Sequence, residues 1–173
     1  MTMGAQEEYN WGTNANCYAF ACNSANPAVG NPPRQAVPGV IGGAPTINNG
    51  NVGQLTAGVL ADGGPLVQAL AGNPLAIPNP PANTYLIAML TSANGFHFIR
   101  CDEYTKRWSW KDANPGTVKL NVLHLPSDRY IYVNNSNLNN ILVTNQNDYM
   151  WPYNGFTFQS FFAVTNNGFA VAG

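Results

Sequence analysis

Residues 84–111 of this chain read TYLIAMLTSANGFHFIRCDEYTKRWSWK. The run TYLIAMLT is continuously apolar, which is typical of a buried strand. GFHFIRC and RWSWK alternate apolar and polar side chains on either side of the turn DEYTK, as two paired strands do. Helical patterns precede this stretch and strand patterns follow it, so it decides the fold class: we predict an α+β fold.

The rest of the chain agrees with this division. Upstream, NVGQLTAGVLAD predicts a helix over residues 51–62 that ends at GG, and PLVQALAG predicts a further helical turn or two. Residues 26–51 are crowded with Pro and Gly and predict a long loop. Downstream, the predicted strands are TVKLNVLHL, RYIYV, NILVT and FTFQSFFAVT, with GFAVAG as one more. No linker or repeat interrupts the pattern, so residues 1–173 are predicted to form one domain.

Charge and hydropathy exclude several functional classes. Charged residues make up 9% of the chain and the net charge is -1, so there is no basic stripe for nucleic acid. No window is apolar for long enough to insert into a membrane, and MTMGAQEEYN is not a Sec-type signal peptide. We therefore expect a protein that is cytoplasmic or is exported by a signal-independent secretion system.

The cysteines argue against a disulfide framework or a metal site. Cys17, Cys22 and Cys101 are an odd number without C-x-x-C spacing, and His97 and His124 are the only imidazoles. We expect at least one free thiol and no metal site.

Cys17, in TNANCYAFACNSANP, is the candidate nucleophile. It stands at the start of a short apolar segment, where a helix N-terminus would favour the reactive thiolate. Asn14 or Asn16 could cap that helix, or could face a substrate oxyanion. The alternative is a buried, inert thiol, and Cys22, about 140° further around the helix, is interpreted that way.

His97 is the candidate base, because a thiol nucleophile needs an imidazole within reach. Alternation in GFHFIRC puts Phe96 and Phe98 on one face of the strand and His97 on the other. A core imidazole with a structural partner is the alternative. His124, near a strand end in VLHLPSD, is the less favoured base.

Five segments together resemble a known family. NCYAFA, QAVPGVIGG, LTAGVLADGG, YLIAMLTSANGFHFIRCDEYTKRWSWKDANPG and YNGFTFQSFF occur in this order across nearly the whole chain. They are similar to bacterial papain-like cysteine hydrolases, whose wider relatives are the CHAP and NlpC/P60-type amidases and, among effectors, the TecA-like deamidases of Rho GTPases. The resemblance implies an N-terminal cysteine-bearing helix packed on an antiparallel β-sheet.

The resemblance also implies roles for residues. Cys17 would be the nucleophile and His97 the base, and a third polar residue would orient the imidazole. The chain departs from the family here, since it has SWK where relatives have SHK. Asp148 is the favoured third member, with Asp112 and Asp128 as alternatives. Tyr9, Trp11, Trp108 and Trp110 are candidates for exposed aromatic walls of the substrate pocket, and ordinary core or loop packing is the alternative for each of them.

The implied reaction is hydrolysis of an amide through a thioester, for which we expect no cofactor. We expect a bacterial effector or toxin that deamidates a side-chain carboxamide of a protein, with a host target or an immunity protein as a further partner. A peptidoglycan amidase or endopeptidase and a cysteine protease are alternatives within the same chemistry. A non-catalytic binding module with a structural Cys17 is the alternative from another class.

Overall fold

The computed structural model describes residues 15–25, 27–28, 35–44, 50–112, 118–119 and 122–173. The helices are α1 (Cys17–Ala21), α2 (Val52–Gly63), a 3-10 turn (Gly64–Leu66) and a π-helix (Asn140–Thr144). The strands are β1 (Val67–Leu70), β2 (Thr84–Ser92), β3 (Gly95–Cys101), β4 (Trp108–Lys111), β5 (Val118–Lys119), β6 (Val122–His124), β7 (Tyr130–Tyr132) and β8 (Thr157–Thr165). The α+β class predicted from the sequence is confirmed.

One antiparallel sheet organises the molecule. Its strand order is β1-β8-β2-β3-β4-β5, and β6 and β7 form a separate two-stranded ribbon. The long central strands β2, β3 and β8 carry the apolar runs of the sequence, and β2 is buried over almost its whole length. The sheet is therefore covered on both faces.

The two faces of the sheet carry different cores. On the helix face, Met89 and Phe98 pack with Cys17 of α1 and Leu55 of α2. The ribbon face, on the opposite side, is filled by side chains of the sheet, the ribbon, the π-helix and the loop before β8, among them Leu90, Ile99, Trp108, Leu123, Ile141 and Trp151. Neighbouring residues of a strand alternate between the two cores, as the pleat requires.

α2 follows the predicted helix closely. Asn51 caps it, with its side-chain oxygen accepting from the Gln54 N–H at 3.0 Å. The segment PLVQALAG differs from the prediction, because after the 3-10 turn it forms β1, where Val67 pairs with Val164 of β8. Val67 packs on the helix face and Leu70 on the ribbon face, which is strand alternation.

Three other predicted strands also differ. NILVT is a π-helix, since Leu138, Ile141 and Leu142 are buried at helical spacing and this periodicity prevails over β-branched composition. TVKLNVLHL divides into β5 and β6, which belong to different sheets. GFAVAG contributes only an isolated parallel bridge between Ala28 and Ala172. Within the described ranges, no helix is long and apolar enough to span a bilayer.

Asp62 ties α2 to α1 and to the segment 37–44. Its carboxylate accepts from the Tyr18 O–H at 2.8 Å, from the Gly39 N–H at 2.7 Å and from the Gly42 N–H at 2.8 Å. Asp62→Ala removes the acceptor of three donors, so we expect the free energy of unfolding to fall by about 2 kcal/mol in urea denaturation.

Asp148→Ala is the matched control for this prediction. Asp148 is exposed in a turn and its backbone is not left-handed, so the same substitution there should change stability by less than about 0.5 kcal/mol. Equal effects of the two substitutions would contradict the role given to Asp62.

Candidate functional site

Asn16 fixes the start of the helix that carries Cys17. Its Oδ1 accepts from the Ala19 N–H at 3.1 Å, and its Nδ2 donates to the Ala36 carbonyl at 2.7 Å. Asn16 is therefore the N-cap, and both ends of its carboxamide are engaged within the protein. Asn14, the other candidate for this role, lies outside the described residues.

The Cys17 thiol is enclosed, with 7% of the residue exposed. Burial raises the pKa of the thiol to about 12, and the backbone N–H groups of Phe98, Tyr18 and Cys17 itself act in the opposite direction. Because α1 has only five residues, these individual N–H groups matter more than a helix dipole. The thiol is protonated at neutral pH and needs a base to become reactive.

Strands β3 and β4 diverge where α1 meets the sheet. Their ladder pairs Cys101 with Trp108 and Arg100 with Ser109. Continuing this register would place Phe98 opposite Lys111 and His97 opposite Asp112, but the ladder stops before them, and the Phe98 N–H lies close enough to the Cys17 thiol to lower its pKa. The thiol thus lies at the opening between two strands, beside the backbone of the candidate base.

His97 is buried, with 1% exposure, and lies on the ribbon face, as alternation predicts. Its ring stacks on Tyr153, with centroids 3.4 Å apart and planes 16° apart. Burial holds the pKa of His97 well below its usual range. In the described part of the chain, Nε2 has no hydrogen-bond partner and no hydrogen bond joins His97 to Cys17. The imidazole is neutral and able to accept a proton.

Tyr153 connects His97 to Asp112. The Tyr153 O–H donates to Asp112 Oδ1 at 2.5 Å, while its ring covers the imidazole. The buried Lys111 donates from Nζ to the backbone carbonyl of Asp112 at 3.3 Å. Sequence reasoning missed Tyr153, although this residue begins the segment YNGFTFQSFF on which the family resemblance partly rests.

The other two carboxylate candidates lie elsewhere. Asp148 is exposed in the turns between the π-helix and β8, and no polar contact with His97 is present among the described residues. Asp128 is exposed beside His124, whose Nε2 is 3.3 Å from Asp128 Oδ1. Of the three candidates, Asp112 is the one that contacts a residue stacked on His97.

The tryptophans do not form the expected exposed walls. Trp108 and Trp110 are fully buried on the ribbon face, so that expectation is wrong for these two residues. Trp108 donates from Nε1 to Asn135 Oδ1 at 2.8 Å, and Trp110 packs edge-on against Trp151. Trp11 and Tyr9 lie outside the described residues.

Cys22 and Cys101 are buried free thiols. Burial raises the pKa of both, that of Cys101 to about 12. Among the residues whose positions are described, no group of three His, Cys, Asp or Glu side chains is placed to hold a metal ion.

The burial of His97 predicts a pH-dependent stability. A histidine in the unfolded chain has a pKa near 6.5, whereas burial lowers the pKa of folded His97, so below pH 6.5 the unfolded state binds more protons. The contribution of His97 to the free energy of unfolding is therefore fully present above pH 6.5, and it is lost as the pH falls towards the pKa of His97 in the folded protein. Between pH 8 and pH 5.5 we expect a loss of about 1.4 kcal/mol from this residue, measured by urea denaturation.

His97→Gln should remove this component of the pH dependence, whereas His124→Gln, at the exposed histidine, should leave it intact. If both variants kept the wild-type dependence on pH, the burial of a neutral His97 would be contradicted.

In comparisons with protein-family models, curated proteins and solved structures, no match to this chain is found. The assignment of a function therefore depends on the geometry around Cys17 and on the sequence motifs.

Proposed function

We propose that this chain is a papain-like cysteine hydrolase that attacks an amide bond through a Cys17 thioester. One observation carries the proposal: the Cys17 thiol lies close to the N–H of Phe98, which follows His97 in β3, and close to Asp112, the residue after β4. The coarse architecture supports it, since α1 packs on an antiparallel sheet against β3 and β4. The segments NCYAFA and GFHFIRC, on which the resemblance partly rests, therefore pack against each other.

His97 is proposed as the base. Burial keeps the imidazole neutral, and its Nε2 has no partner within the described chain, which is unusual for a buried polar atom. Cys17 packs on the helix face, whereas the His97 ring stacks on Tyr153 on the ribbon face, and no hydrogen bond joins these two described side chains. Proton transfer therefore requires them to meet through the opening between β3 and β4 when substrate binds.

Asp112 replaces Asp148 in our proposal for the third member. Its carboxylate accepts a hydrogen bond from the Tyr153 O–H, and the Tyr153 ring stacks on His97. A carboxylate near the imidazole favours the imidazolium formed during the reaction. Asp148 has no comparable contact with the residues that the structure describes.

The proposed reaction has two stages. His97 takes the thiol proton, the thiolate adds to the amide carbonyl carbon, and backbone N–H groups stabilise the oxyanion. The C–N bond then breaks, and the imidazolium returns the proton to the leaving ammonia or amine. Water attacks the thioester, which releases a carboxylate and restores the thiol.

For the substrate we propose a Gln or Asn side chain of a protein, as the resemblance to effector deamidases implies. Cleavage of a peptide or peptidoglycan amide uses the same steps with a different leaving group. The product distinguishes them, because deamidation adds about 1 Da to an intact chain whereas cleavage shortens the chain.

The test combines a thiol probe with mass spectrometry. Iodoacetamide near neutral pH should label Cys17 faster than Cys22 and Cys101, and candidate target proteins should gain about 1 Da in a reaction that Cys17→Ser abolishes. Equal labelling of the three cysteines, together with full activity of Cys17→Ser, would overturn the proposal.

A binding module with a structural Cys17 is the second candidate. The 7% exposure of Cys17 and its raised thiol pKa, about 12, favour it, because a buried protonated thiol is inert. Under this candidate, Cys17→Ala would preserve every biological effect of the protein.

A further inference from the structure

Tyr153 contacts two residues of the proposed site in two different ways. Its ring lies on the His97 imidazole at 3.4 Å, and its hydroxyl donates to Asp112 Oδ1 at 2.5 Å. No hydrogen bond joins the His97 ring directly to the Asp112 carboxylate among the residues that the structure describes. Tyr153 is therefore the link between them.

The loop that carries Tyr153 is held closed at its base by Gln146. Gln146 Oε1 accepts from the Gly155 N–H at 3.0 Å, and its Nε2 donates to the Phe156 carbonyl at 3.1 Å. Phe156 in turn packs edge-on against Tyr153, with centroids 5.5 Å apart. The phenol ring lies between Phe156 and His97, so its position is fixed before any substrate binds.

We propose that Tyr153 is a positioning residue, which holds the His97 imidazole and the Asp112 carboxylate as one unit beside Cys17. This inference rests on the proposed function, since it assigns Tyr153 a part in the same site. Tyr153 acts through these two residues and does not itself react.

The hydroxyl and the ring of Tyr153 have separable effects. The hydroxyl partly compensates the negative charge of Asp112, and Asp112 disfavours the Cys17 thiolate. Removing the hydroxyl should therefore raise the Cys17 pKa. The ring keeps water from His97, so removing it should bring the His97 pKa back towards its usual range. The titratable groups that act on Cys17 are Asp112, Lys111, Tyr153 and Cys22.

The test measures the pH profile of Cys17 alkylation by iodoacetamide. Tyr153→Phe should raise the apparent pKa of Cys17 by about half a unit, which slows labelling about threefold at a fixed pH below that pKa. In an Asp112→Asn background, Tyr153→Phe should have no further effect. Tyr149→Phe is the matched control, because it removes a hydroxyl from the same loop without a bond to Asp112.

A second variant tests the ring. Tyr153→Leu should raise the His97 pKa measured by NMR, with the His97 signal assigned in a His124→Gln background, because His124 is the only other histidine. Tyr153→Phe keeps the ring and should leave the His97 pKa close to that of the wild type.

The outcomes separate this inference from the proposed function. If wild-type Cys17 is labelled selectively but Tyr153→Phe has an unchanged pH profile, the positioning role is overturned and the enzyme proposal stands. Faster labelling of Tyr153→Phe, or equal slowing in the Asp112→Asn background, also overturns it. If wild-type Cys17 shows no selective labelling and Cys17→Ser keeps full activity, the proposed function itself fails.

Discussion

Cys17→Ser should reduce amide hydrolysis by at least about a thousandfold while the protein stays folded. A serine hydroxyl fits the space of the thiol but is far harder to deprotonate, and burial makes His97 a weaker base than a free imidazole. The measurement is the rate of product formation by mass spectrometry, with circular dichroism to verify the fold.

Cys22→Ala is the control for this variant. Cys22 follows α1 directly and is fully buried in the helix-face core. We expect this variant to lose stability and to keep most of its activity. Comparable loss of activity in both variants would mean that Cys17 supports the fold and is not the nucleophile.

Arg100→Ala should lower the free energy of unfolding by about 3 to 4 kcal/mol. Arg100 is fully buried on the helix face, where its guanidinium lies 4.2 Å from the Tyr85 ring centre and donates to the Phe20 carbonyl at 3.1 Å. Truncation leaves a cavity and removes a donor from the end of α1. Because α1 carries Cys17, we also expect faster alkylation of Cys17 as the helix loosens.

Two variants sharpen this prediction. Arg129→Ala removes the same side chain from an exposed position and should change stability by less than about 0.5 kcal/mol. Arg100→Met keeps most of the volume but no donor, so its stability should lie between those of Arg100→Ala and the wild type. If Arg100→Met were as stable as the wild type, packing alone would explain the role of Arg100.

Local patterns of the sequence predict much of the sheet. Alternation in GFHFIRC places His97 opposite Phe96 and Phe98, and the structure has this arrangement. The same alternation puts Arg100 on the face of Phe98, which marks it as a buried cation that sequence reasoning overlooked. The pattern is weaker for short segments, so NILVT was predicted as a strand although its buried residues follow helical spacing.

The candidate site was predicted only in part, because Cys17 and His97 belong to recognisable local motifs whereas their partners do not. Tyr153 is 41 residues from Asp112 and 56 from His97 in the chain, and no local pattern reports contacts at such separations. The face of β3 on which each side chain lies follows from side-chain periodicity, which is a property of neighbouring residues. The tertiary structure decides the rest. The divergence of β3 from β4 and the loop closed by Gln146 favour Asp112 over Asp148 as the partner and bury Trp108 and Trp110. Both features exist only once segments that are distant in the chain pack together.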